Sequence, residues 1–81
     1  MKLPRDISGR DFAGKLGRYG YEVVRQSGSH MRLTSKMKIT AHHITIPDHR
    51  SLKMGILRAV LNEIARYLEM DRGQLERELF E

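Results

Sequence analysis

Between residues 30 and 46 the apolar residues recur with a period of two. Met31 and Leu33, then Ile44 and Ile46, are aliphatic, while His30, Arg32, Thr34, His43 and Thr45 fall between them and are polar or basic. Side chains on a strand alternate between two faces, so this pattern predicts two strands with one apolar and one polar, basic side. The apolar side must meet helices, and the other is left as a plausible binding surface.

The strands before and between these are bounded by turn chemistry. The stretch Tyr21 to Leu33, YEVVRQSGSHMRL, predicts a hairpin with strands near Glu22–Gln26 and His30–Thr34, joined by a tight turn at Ser27-Gly28-Ser29. Val23 and Val24 favour a pleated, half-buried environment, and Gly28 supplies the backbone freedom of the turn. Ser35 to Lys38 reads as a polar loop and the third strand runs near Thr40–Ile46. Pro47-Asp48 ends it, because proline cannot donate to a ladder.

Helices flank the three strands. Ile7 to Gly20 reads as the first, with Ser8 as N-cap, Asp11 three residues on, and Ile7 and Phe12 at the staple positions. Gly9, Gly14 and Gly17 weaken it, and Gly9 and Gly17 are expected to permit close approach to the sheet. Leu57, Val60, Leu61, Ile64 and Leu68 mark a long helix over about Leu52 to Leu68, with Ser51 or Asp48 as its expected cap. Asp71 is placed to cap a short last helix carrying Leu75 and Leu79. The predicted order is α-β-β-β-α with a short helical tail, an α+β fold whose three-stranded antiparallel sheet carries helices on one face. A single domain over residues 1–81 is expected, with a core to residue 68 and the tail over 69–81.

Charge gives the open face a candidate ligand. The net charge is +5, divided as +6 over residues 1–38, +2 over 39–60 and −3 over 61–81. A basic surface of this kind suits a nucleic-acid backbone or an acidic protein partner. The 81 residues include no cysteine, which excludes disulfides, thiolate metal sites and cysteine catalysis. No apolar run approaches the roughly 18 residues that cross a bilayer and no signal-peptide pattern opens the chain, so a cytoplasmic protein is expected.

Three groupings have chemical potential. His30 follows a glycine turn and lies between Arg25 and Arg32. An imidazole there can take a proton from a ribose 2′-hydroxyl and return one to a leaving oxygen, with arginine offsetting phosphate charge. From spacing alone, a surface histidine at a strand start is the commoner explanation. His42, His43, Asp48 and His49 are four potential metal ligands within eight residues. Adjacent His42 and His43 point to opposite faces of a strand, however, and no metal site or other cofactor is expected; His49 is left to contact phosphate or to hold the Pro47 turn. Lys53, Met54 and Gly55 open the long helix, where free N–H groups and a lysine suit a phosphate, although a solvated first turn explains them as well. Tyr19, Tyr21 and Tyr67 do not form the paired strand aromatics of a single-stranded RNA platform and read as packing residues.

Taken together, LPRDISGRDF (residues 3–12), YEVVRQSGSHMRL (21–33) and ITIPDHRSLKMGILRAVL (44–61) resemble the HicA family of bacterial and archaeal toxins. The shared pattern is an SG step before the first helix, GSH at a strand start, then P-x-H and K-x-G-x-L entering the long helix. The resemblance implies a fold like that of double-stranded-RNA-binding domains. It also implies an mRNA interferase, a ribonuclease that cuts or disables transcripts and so stops translation, with its catalytic histidine at His30 and a HicB-type antitoxin protein covering that site. Arg25, Arg32, Lys53 and His49 are the expected RNA contacts by charge and face, and Gly28 and Ser29 offer backbone N–H groups to phosphate. The competing expectations are a module of the same fold that binds double-stranded RNA without cutting it, and a protein adaptor.

Overall fold

The computed structural model of the chain describes residues 3–81. Its elements run α1 (Gly9–Leu16), β1 (Glu22–Ser27), β2 (His30–Ser35), β3 (His42–Pro47), α2 (Met54–Leu68) and α3 (Arg72–Phe80), with a 3-10 turn over Gly17–Tyr19 after α1. The order is α-β-β-β-α with a further helix, and the strands form one open antiparallel sheet in the order β1-β2-β3.

The alternation places the core where it was expected. Met31, Leu33, Ile44 and Ile46 are all buried, as is the whole stripe Leu57, Val60, Leu61, Ile64 and Leu68 on α2. Register pairs Met31 with Ile46 and Leu33 with Ile44, so the four aliphatics form a compact block under the helices. On α1, Phe12, Ala13 and Leu16 complete the layer, and Ile7 is buried beside them as the staple requires.

The caps divide the helices unevenly. Ser8 Oγ accepts the Asp11 amide at 3.0 Å and starts α1. The helix stops at Leu16, four residues short of the expected end, because the chain tightens into the 3-10 turn and Gly20 closes it at φ +82°. Neither Ser51 nor Asp48 caps α2. Lys53 is the N-cap and makes no side-chain capping bond, while Ser51 reaches the Arg5 carbonyl and Asp48 is engaged elsewhere. Asp71 does cap α3, accepting the Gln74 amide at 3.1 Å.

Three other expectations fail. Val23 and Val24 are 48 % and 58 % exposed, because β1 is an edge strand and every one of its residues faces solvent. The third strand begins at His42 rather than Thr40. Tyr67 Oη accepts the Lys38 amide at 3.0 Å and donates to the Thr40 carbonyl at 2.7 Å, holding the preceding loop off the ladder. Of the two glycines expected to allow close approach, only Gly9 does so: a Cβ there would lie 1.9 Å from the Pro47 carbonyl oxygen, whereas one on Gly17 would meet nothing within 4 Å.

The acidic C-terminal segment packs on the domain. Leu75 and Leu79 are buried in the same cluster as Phe12 and Leu16, and Phe80 stacks on Phe12 with centroids 6.2 Å apart. Burial, reinforced by the hydrogen bond that the Tyr19 hydroxyl donates to Glu78, pushes the phenol up to about 12. Among the described residues no helix is long and apolar enough to cross a membrane.

Candidate nucleic-acid interface

The residues opposite the helices form rows across the sheet. At one end Ser27 pairs with His30 and His30 with Pro47; the next row is Arg25, Arg32 and Thr45; the third is Glu22, Thr34 and His43. Apart from half-buried Thr34 and Pro47, every side chain in these rows is exposed. His30 therefore lies on the open face, at the end of the sheet formed by the β1–β2 turn.

That turn is set by Gly28. Gly28 has φ +58° while Ser29 does not enter the left-handed region, so positive φ falls at the first central residue alone, as in a type II′ hairpin. The turn matches the twist of the strands and delivers His30 in register as the first residue of β2. Glycine is needed here for its backbone, since a Cβ would meet nothing within 4 Å.

A bulge brings the arginines together. Val23 pairs with Leu33 and Arg25 with Arg32, leaving Val24 as the extra residue. Had the ladder run without it, Arg25 would lie opposite Met31 and turn toward the helices. Instead two guanidinium groups share a row next to His30, and among the described residues neither has an acidic partner within 4 Å. Like charges directly opposite on a sheet are unfavourable, and a bound anion relieves them.

Asp48, which sequence reasoning offered as a helix cap or metal ligand, ties this end of the sheet to α1. Its amide donates to the Ser29 carbonyl at 2.5 Å. Its Oδ2 accepts from Gln26 Nε2 at 3.1 Å and from Arg10 Nε and Nη2 at 3.1 and 2.9 Å. The same Gln26 amide also donates to the Gly28 carbonyl at 3.1 Å. With Arg10 66 % exposed, an ion pair of this kind contributes only about 0.2–1 kcal/mol to stability. No local pattern announces this residue, because its partners lie 38 and 22 positions away.

The other expected contacts fall in different places. His49 is exposed one residue beyond Asp48, and its carbonyl accepts the Gly9 amide at 2.9 Å, so its backbone is anchored beside the His30 row. Lys53 is exposed at the start of α2, and no hydrogen bond or ion pair among the described residues joins it to that row. His42 and His43 do diverge. His43 stands on the open face with Nδ1 2.8 Å from Thr34 Oγ1. His42 turns inward, 2.6 Å from the Tyr21 hydroxyl and stacked on Tyr67 at 4.7 Å, and burial holds its imidazole below the ordinary range. Tyr21 is buried and Tyr67 half-buried, in the packing roles expected of them. Among the described residues no group of three or more His, Asp or Glu side chains is arranged to hold a metal ion.

The sequence model described as the HicA toxin of bacterial toxin-antitoxin systems matches residues 9–65, from the start of α1 into the last turns of α2. The chain belongs to the HicA toxin family. It is thus the toxin component of a toxin–antitoxin system, and its partner is a cognate antitoxin. No curated protein and no solved structure matches the chain. Within the HicA match lie the hairpin, the arginine row, Asp48 and the opening of α2, while α3 falls outside it.

Proposed function

We propose that this HicA toxin is an endoribonuclease that cuts mRNA on the open face of the sheet, with His30 as its catalytic residue. The observation that carries the proposal is the adjacency of two rows: an exposed imidazole in one, and an arginine pair without acidic partners in the next. Two residues along a strand span about 6.6 Å. A phosphodiester lying over the His30 row is therefore within reach of the long arginine side chains of the second.

The chemistry follows from those groups. His30 accepts the proton of the 2′-hydroxyl as its oxygen bonds to phosphorus. The phosphorus–5′-oxygen bond breaks, and imidazolium or water protonates the departing oxygen, leaving a 2′,3′-cyclic phosphate. Arg25 and Arg32 offset charge on the phosphoryl oxygens as the transition state forms. Gly28 and Ser29 present the turn backbone beside His30, and His49 and Lys53, both exposed, are proposed as further contacts to the RNA backbone. This reaction requires no metal ion, so cleavage is expected to persist in chelator. The antitoxin, of HicB type, is proposed to cover this same face, and the site of action is the cytoplasm, where message is translated.

Expression of wild type and His30→Ala from a tightly repressed promoter tests the reading. Wild type should arrest growth and degrade a reporter mRNA, and His30→Ala, folded to the same circular dichroism spectrum, should do neither. General acid–base catalysis contributes about 10²–10⁴-fold, so residual cleavage by purified His30→Ala should be at least ~100-fold slower. Equal cleavage by the two proteins removes His30 from the chemistry. RNA binding without cleavage by either supports a non-catalytic double-stranded-RNA-binding module instead.

A further inference from the structure

We propose that Asp48 is a positioning residue for His30, an assignment that rests on the nuclease reading of the same face. Asp48 follows Pro47, the cross-strand partner of His30, and the Asp48 amide bonds to the carbonyl of Ser29, the residue immediately before His30. Its carboxylate oxygen Oδ2 gathers the Arg10 guanidinium from α1 and the Gln26 amide from β1. Gln26 in turn holds the Gly28 carbonyl. The carboxylate thus joins the first helix and the edge strand to the connection after β3, and Gln26 carries that tie to the glycine turn.

The arrangement suits orientation better than support. The Arg10 guanidinium is largely solvated, so little folding stability depends on its pairing. Asp48 holds the Gly28-Ser29 backbone from two directions: its carboxylate fixes Gln26, which donates to the Gly28 carbonyl, and its own backbone amide donates to the Ser29 carbonyl. His30 begins β2 directly after that backbone and is itself exposed, with no side-chain hydrogen bond of its own among the described residues. An exposed imidazole held only through its backbone depends on the rigidity of the turn for its aim, and small misplacements of a catalytic group carry large rate penalties. The Gly9 amide bonded to the His49 carbonyl clamps the same connection from its other side.

The test compares Asp48→Asn and Asp48→Ala with wild type and His30→Ala, on a short RNA oligonucleotide. Single-turnover cleavage should fall about 10-fold in Asp48→Asn and further in Asp48→Ala, while the Kd for a 2′-deoxy, uncleavable analogue stays within about twofold. Gln26→Ala should slow cleavage, and adding it to Asp48→Ala should cost little more, because both act through one network. Independently of activity, the His30 ring resonances in a heteronuclear NMR spectrum should shift or broaden in Asp48→Ala while those of His43 stay in place. Unchanged His30 resonances with unchanged cleavage overturn the assignment. Equal loss of RNA affinity and cleavage also overturns it, since that marks Asp48 as a binding or folding residue. If His30→Ala cleaves normally the nuclease reading itself fails, whereas inactive His30→Ala beside fully active Asp48→Ala removes only the role given to Asp48.

Discussion

Arg25 and Arg32 face one another across the β1–β2 ladder on the open side of the sheet, in register only because Val24 bulges out of β1. Two cations so placed work against folding and in favour of an anionic ligand. Replacing either with Gln should therefore have opposite effects on the two properties. Thermal stability should hold or rise slightly, by up to about 0.5 kcal/mol. RNA affinity should fall, and the slope of log K against log salt should become shallower by about one unit per arginine removed. Filter binding across a salt series, with thermal melts of the same proteins, measures both. Loss of stability together with an unchanged salt slope would assign the pair to the fold.

Gly9 reverses an ordinary helix rule. At an exposed helix position, Gly→Ala stabilises by up to about 1 kcal/mol. Here the new Cβ would lie 1.9 Å from the Pro47 carbonyl oxygen, against backbone that cannot swing aside as a side chain can. Gly9→Ala should destabilise by about 1–3 kcal/mol. Gly14→Ala, whose Cβ would meet nothing within 4 Å, should hold or gain stability. Urea denaturation of the two variants gives the comparison, and a shift of the same sign in both would contradict it.

This pair also shows what the sequence discloses and what it does not. Alternation through Met31, Leu33, Ile44 and Ile46 was legible because side-chain period maps directly onto a buried face. The Ser8 and Asp71 caps were legible because a cap acts within four residues. The place of His30, exposed at the start of β2, was legible through the glycine turn before it. The bulge was not, since an extra residue changes register without changing composition; nor was the edge position of β1, which leaves Val23 and Val24 exposed. Asp48 was equally silent: its role depends on Arg10 and Gln26 arriving from α1 and β1, which only the tertiary fold arranges.

The C-terminal helix lies outside the HicA match yet belongs to the core. Leu75 is fully buried and Leu79 nearly so, both in the cluster that includes Phe12 and Leu16 of α1. Leu75→Ala should cost about 2–5 kcal/mol, a large share of the roughly 5–15 kcal/mol that holds a small domain. Truncation after Leu68 should leave a protein that melts far lower or fails to fold. Glu76→Gln is the milder control: it weakens one i,i+4 pair with Arg72, at 2.6 Å, and should change stability by less than about 0.5 kcal/mol. A truncated chain with wild-type melting behaviour would show that α3 is an accessory.

His42 should make the fold acid-sensitive. Its Nδ1 lies 2.6 Å from the buried Tyr21 hydroxyl and its ring stacks on Tyr67, whose own hydroxyl pins the β2–β3 loop. Burial lowers its imidazole below the ordinary range and His43 acts in the same direction, while Glu63 opposes them. The native state thus favours neutral His42, and the unfolded chain takes up its proton at about pH 6.5. The contribution to stability is complete above that pH. It declines as pH falls from about 6.5 toward the lower folded value, because only the unfolded state gains a proton over that interval. Urea midpoints of wild type and His42→Asn at pH 7.5 and pH 5 isolate the effect from the other histidines. The advantage of wild type over His42→Asn should be larger at pH 7.5 than at pH 5, and Tyr21→Phe should reduce the pH-dependent part. A gap that widens on acidification would mean that folded His42 prefers its proton, placing Glu63 rather than burial in control of the ring.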